Sequence, residues 1–155
     1  MLSKKAKYAL KALEYIAGKG GDEPLLIAEI AREQHIPRKF LEVILLELKK
    51  DGVLRSKMGK NGGYMLQLTT EEIKLGHIIR LMDGAIALVP CVSFKYYTPC
   101  EECIDEATCG LRNVMAELRE ATNKILDNVT LAEVLRREKK LSKGTRKKTN
   151  SSKLQ

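Results

Sequence analysis

The sequence predicts a mostly α-helical protein with one small β-hairpin and a long C-terminal helix. Three observations carry this. Apolar stripes at helical spacing fill residues 5–50, a glycine-rich stretch flanked by strand-like segments spans 53–68, and a heptad seam runs through 111–129. The composition, 44% apolar and 31% charged, is that of an ordinary globular chain and excludes collagen-like and fully disordered classes.

The elements follow in order. Over residues 5–17, Ala9, Leu13, Ile16 and Ala17 share one face, and Gly18, Gly20 and Gly21 end the helix. A second helix covers about 27–34 with Ile27, Ile30 and Ala31 inward. His35-Ile36-Pro37 makes a tight turn, and proline suits the start of the next helix. The third helix covers about 38–50 with a buried stripe of Leu41, Ile44, Leu45 and Leu48, and Asp51-Gly52 stops it. Residues 53–57 and 64–68 read as strands joined by Met58-Gly59-Lys60-Asn61-Gly62-Gly63, a basic tip rich in residues that accept positive φ. Thr69 and Glu72 form a capping box, which predicts a helix from there to about Met82. Helix, helix-turn-helix and basic hairpin is the order of a winged helix-turn-helix domain, assigned to residues 1–82.

Residues 83–107 lose periodicity at Gly84, Pro90 and Pro99 and form a loop long enough to need a functional reason. Leu111, Met115, Leu118, Thr122, Ile125 and Val129 then step alternately by four and three, which predicts a dimerisation helix over about 108–127. A second capping box, Thr130 with Glu133, starts a short helix ending near Arg137, so that 108–138 form one unit. Residues 139–155 are rich in Lys, Ser and Thr and read as a disordered basic tail that either adds nonspecific DNA affinity or only solubilises.

Charge narrows the function. Residues 136–155 carry nine Lys/Arg and one acid, and the rest of the chain is neutral. Within that remainder, residues 1–60 carry 13 basic and 8 acidic side chains, and residues 61–135 carry 6 and 11. A basic front on a winged helix fits a polyanion, with duplex DNA first. Outside the stripe of the third helix lie Arg38, Lys39, Glu42, Lys49 and Lys50, and the first three sit at the end that would enter a major groove. No apolar run approaches the ~20 residues of a membrane span, and Lys7, Lys11 and Glu14 interrupt any signal-peptide core, so a cytoplasmic protein is expected. Paired catalytic carboxylates, a nucleophile–base pair and a phosphate-binding loop are all missing, so it reads as a non-enzyme.

Cys91, Cys100, Cys103 and Cys109 fall within 19 residues. Four thiols on one loop can converge on one soft-metal site, suited to an iron–sulfur cluster, zinc or copper(I). The spacing lacks the two close pairs of a zinc ribbon, yet four ligands keep zinc open. Glu101, Glu102, Asp105 and Glu106 disfavour free thiolates, and a bound metal would offset them. This favours a metal site over a metal-free thiol–disulfide switch. His35 and His77 read as turn and helix residues rather than ligands, and Tyr96 and Tyr97 as loop packing.

Several motifs together resemble the IscR/NsrR-type bacterial transcription regulators, the Rrf-two family. They are Lys7-Tyr8-Ala9-Leu10-Lys11-Ala12-Leu13, the Ile30-Ala31 pair, His35-Ile36-Pro37, Phe40-Leu41-Glu42, the Gly59-to-Tyr64 wing, the cysteine loop, and Thr130-Leu131-Ala132-Glu133-Val134-Leu135. The likeness covers roughly residues 1–136. It implies a homodimeric winged-helix regulator of a palindromic operator that senses iron–sulfur, redox, nitric oxide or cysteine status. It implies cluster ligation, [2Fe-2S] or [4Fe-4S], by Cys91, Cys103 and Cys109, and base reading by Lys39, Phe40 and Glu42. Three positions depart from the pattern. Arg112 stands where IscR-like members place a histidine ligand, and residues 1–13 hold no acid to serve from a partner's first helix. That leaves the fourth ligand to Cys100, with Glu101, Glu102 or Asp105 as alternatives. Met58 replaces the arginine of IscR-like wings, leaving Lys57, Lys60 and Asn61 as the wing's polar contacts. The same regulator with a thiol–disulfide switch or a zinc site is the alternative.

Overall fold

The computed structural model describes residues 2–151, with side chains through residue 143. Helix α1 (Lys4–Gly18) opens on Ser3, whose hydroxyl accepts from the Ala6 amide at 3.1 Å and satisfies a free N–H of the first turn. Its inner face, Ala6, Ala9, Ala12, Leu13 and Ile16, is fully buried. Helices α2 (Ile27–Glu33) and α3 (Arg38–Lys50) follow, joined by a turn in which His35 takes φ 52° and Ile36 is buried. The stripe Leu41, Ile44, Leu45 and Leu48 has no solvent exposure, and burial of each such side chain is worth about 1.5–3 kcal/mol.

Strands β1 (Leu54–Lys57) and β2 (Gly63–Leu66) pair antiparallel, with Leu54 opposite Leu66 and Lys57 opposite Gly63. Leu25 adds a short third rung by exchanging two 2.9 Å backbone hydrogen bonds with Tyr64. This brings two backbones too close for side chains. A Cβ on Gly63 would lie 2.3 Å from the Leu25 carbonyl oxygen, and one on Gly62 would lie 2.3 Å from that of Lys57.

The capping box forms as its spacing implies: the Thr69 amide and hydroxyl both donate to Glu72 at 2.8 Å, which holds the Glu72 carboxyl below its ordinary pKa. The helix expected directly behind it does not start there. The box closes a single turn, Ile73 is buried, Lys74 bridges to Thr130, and only then does α4 (Leu75–Asp83) begin. Burying Ile73 and pairing Lys74 outcompete helix propagation. Gly84, at φ 83°, ends α4.

Residues 84–109 contain one 3₁₀ turn, Pro90–Val92, and then α5 (Gly110–Asn128). Helix α5 packs on α4 and on the 3₁₀ turn. Helix α6 (Leu131–Ser151) starts with Leu131, 1% exposed, whose amide donates to the Ile73 carbonyl at 2.8 Å. The disordered tail expected from residue 139 is corrected here: the helix continues through Ser151, and 152–155 lie outside the described residues. The physical reason is that nucleation, the costly step, is already met by the anchored first turn. Propagation is then helped by the good helix formers Lys139, Lys140, Leu141, Lys143, Arg146, Lys147 and Lys148, and opposed by Gly144 and the Ser, Thr and Asn residues between them. The Arg137 Nε to Glu133 Oε1 bond at 2.8 Å adds to it and holds Glu133 below its ordinary pKa.

Candidate nucleic-acid interface and cysteine site

The first turn of α3 contains no acid and no side chain caps it, so nothing of that kind competes with a phosphate there, although the Phe40 and Leu41 amides already donate to the Pro37 carbonyl at 3.0 Å. Arg38, Lys39, Phe40 and Glu42 are all exposed around that end. Arg38 reaches Glu42 one turn on, Nε to Oε1 at 3.2 Å. Phe40 is less free than its neighbours, because its ring packs edge-on against Tyr8 with centroids 5.7 Å apart. On the wing, Lys57, Lys60 and Asn61 are exposed and Met58 projects at 93% exposure. A groove of about 310 Å³ runs between the two elements, bordered by Arg38, Ile27, Lys57 and Gly62. It brings Arg38 and Lys57 together. Lys39, Phe40, Glu42, Lys60 and Asn61 lie outside it.

The four cysteines line one cavity of about 470 Å³, closed by Pro90, Leu111 and Arg112. The surroundings of each thiol differ. Cys91 is buried in the 3₁₀ turn. Cys100 is exposed and donates to Glu102 at 3.2 Å, a bond that raises the thiol's pKa and lowers the carboxylate's. Cys103 is partly buried, and its pKa is raised by that burial and then by Cys109 beside it. Cys109 caps α5, its Sγ accepting from the Arg112 amide at 3.4 Å. Two of the four thiols are thus held towards the protonated form, Cys100 by its acidic neighbour Glu102 and Cys103 chiefly by burial.

Among the described residues, no three Cys, His, Asp or Glu side chains stand close enough to hold a metal ion. The donor set still suits a soft-metal group: four thiols face one cavity and a guanidinium faces it with them. Arg112 stands 3.6 Å from the Glu106 carboxylate, and Tyr97 donates to the same residue at 2.5 Å, which raises the Tyr97 pKa. Neither histidine lies near the cavity; His77 contacts Asp51 at 2.5 Å.

Reading the sequence alone missed Arg119. Its guanidinium donates to the Val92 carbonyl and stacks 3.9 Å from the Phe94 ring centroid, fastening the cysteine loop to α5. No sequence signal marks it, since an arginine beside a heptad position reads as a solvated charge. Helix α5 has no buried residue, and Leu111, Val114, Leu118 and Ile125 are exposed along its seam.

A recognition helix and wing beside a cysteine-lined loop define a winged-helix DNA-binding transcription regulator. Residues 2–137 match the Rrf2 family, described as iron-dependent transcriptional regulators, and the chain belongs to that family. An rrf2-like HTH-type transcriptional regulator of Rhodobacter capsulatus is 42% identical over 138 residues, covering 87% of this chain and 92% of the relative. Among solved structures, CymR, the global cysteine regulator of B. subtilis, superposes with a TM-score of 0.71 at 27% identity, covering 87% of this chain and 95% of its own. T. potens IscR gives 0.69 at 25% identity, covering 89% and 88%. Among the described residues no helix is long and apolar enough to cross a membrane.

Proposed function

We propose that this protein is a homodimeric, non-enzymatic cytoplasmic regulator that binds a palindromic operator and reports iron–sulfur, redox or nitric oxide status through a cysteine-ligated iron–sulfur cluster. The observation that carries the reading is that Cys91, Cys100, Cys103 and Cys109 all line one cavity capped by the start of α5. Those four residues would hold the cluster. When bound, the cluster supplies a redox-labile, oxygen- and nitric oxide-sensitive centre. Arg112, where IscR-like proteins carry histidine, supplies positive charge against four thiolates and the acidic flanks. That positive charge offsets the mutual repulsion of ligating thiolates and nearby carboxylates.

Dimerisation follows from α5. Its exposed seam would pair with the same face of a second copy, setting the spacing of two recognition helices. Arg38, Lys39, Phe40 and Glu42 enter the major groove, while Lys57, Lys60 and Asn61 meet the flanking backbone and minor groove. An ultraviolet–visible spectrum of protein purified without oxygen, with iron and sulfide assayed on the same sample, tests the cluster. Broad absorbance between roughly 300 and 450 nm with stoichiometric iron and sulfide is expected. A protein that stays colourless after reconstitution would reject the cluster and leave zinc or a thiol–disulfide switch.

A further inference from the structure

We infer that α6 beyond Arg137 is an arm that grips DNA phosphates flanking the operator. The inference rests on the DNA-binding reading above. The match to the family ends at residue 137. Residues 138–155 then carry seven Lys/Arg against one acid, a net +6 of the chain's +8. Six of those seven basic residues lie within α6, which runs unbroken from Leu131 to Ser151.

The arm leaves the core at a defined place. Leu131 and Leu135 seat the first turns of α6 in the core. One turn later, Leu135, Glu138 and Lys139 share a depression with Glu14, Lys19 and Gln34. Gln34 is the C-cap of α2, four positions before Arg38 opens the recognition helix. The basic stretch therefore departs beside the helix-turn-helix turn. Lys139, Lys140 and Lys143 are exposed there. Arg146, Lys147 and Lys148 continue the run in the sequence. Lys139 to Ser151 extends ~18 Å at 1.5 Å per residue, the length of roughly five base pairs.

Charge and composition favour DNA over other polyanions. Leu141 is the one large apolar residue in the sequence 138–151, too little for the apolar face by which an amphipathic helix enters a lipid surface. Lys and Arg with Ser, Thr and Asn are instead the side chains that contact phosphate and sugar without reading bases.

The test uses the full chain with Lys139→Gln, Lys140→Gln, Lys143→Gln, Arg146→Gln, Lys147→Gln and Lys148→Gln, glutamine being a comparable helix former. The probe is a duplex that the unaltered protein selects from a random pool, prepared trimmed to the operator and with 15-base-pair flanks. Binding is followed by fluorescence anisotropy from about 50 to 300 mM salt. On the flanked duplex the variant should bind at least tenfold more weakly at ~150 mM salt. Its slope of log affinity against log salt should flatten by about 2 or more, one phosphate per protomer at the least. On the trimmed duplex the two proteins should agree within about threefold. A companion with arginine at the five lysine positions should restore full binding, which separates charge from folding. Equal slopes on the flanked duplex would overturn the arm while leaving DNA binding intact. Unchanged DNA slopes with lost binding to phosphatidylserine vesicles would overturn it in favour of a lipid surface. If the unaltered protein selects no duplex, the DNA-binding reading itself fails.

Discussion

Gly63 lies where the wing crosses the Leu25 segment, and a side chain there meets backbone rather than a movable neighbour. Its φ of 155° adds a conformation that other residues rarely take. We expect Gly63→Ala to lower stability by about 1–3 kcal/mol in urea unfolding and to weaken operator binding by loosening the wing. A variant as stable as the parent would mean that Leu25 gives way freely. The glycine-rich tip was legible in the sequence because turns need such residues. That Gly63 is irreplaceable was not, because that depends on the bridge at Leu25, nearly 40 positions earlier. Arg119 is the same case: its partner carbonyl, on Val92, lies 27 positions back, and helical spacing cannot announce it. Cys91, Cys100, Cys103 and Cys109 were legible as a group because clustered thiols are rare, and their common cavity needs only a short loop.

At the scale of elements, α1, α2 and α3 follow the bounds that periodicity and glycine stops set, because each buries its stripe locally. The late start of α4 and the length of α6 were not legible, since each depends on the junction of Ile73, Lys74 and Thr130, a contact between segments far apart in the chain. That junction also brings α6 against α1. Glu14 is held above its ordinary pKa by burial first and then by Glu138, with Lys11 opposing. A carboxyl raised in the folded state favours folding less once ionised. Its contribution is therefore intact at low pH and declines as pH rises from the ordinary carboxylate value through the raised one. Glu138→Gln removes the second cause, so an NMR titration should show the Glu14 midpoint moving down and the decline shrinking. An unmoved midpoint would place Glu138 out of reach. On α5, Ile125, a seam position near the helix's C-terminal end, is 64% exposed. Ile125→Glu would cost nothing in the isolated protomer but would bury two like charges in a dimer. Sedimentation should report a protomer mass with an unchanged helical spectrum, and a variant that stays dimeric would exclude this face as the interface.

At the scale of the whole molecule, a chain of contacts joins the cysteine loop to the DNA-binding face. Arg119 fastens Val92 and Phe94 to α5. Arg80 on α4 pairs with Asp127 and Asn123 of α5. The Ser3 amide, opening α1, donates to Asp83 at the end of α4 at 2.9 Å, and α1 packs on α3. Spatial continuity alone does not establish coupling, which requires an element with two arrangements biased from both ends. Arg119→Ala offers that test because it touches neither the thiols nor the recognition helix. Amide exchange at residues 92–97 should quicken several-fold while that of α1 and α3 stays unchanged, since the loop loses its tie and the core loses nothing. Operator affinity should then stop depending on the state of the cysteine site. In the unaltered protein, reconstitution or thiol oxidation should shift affinity at least tenfold, the range of an ordinary coupling free energy of 1–3 kcal/mol. In the variant the two states should bind within about threefold of each other. If the variant keeps the full shift, the signal does not travel through the Arg119 tie.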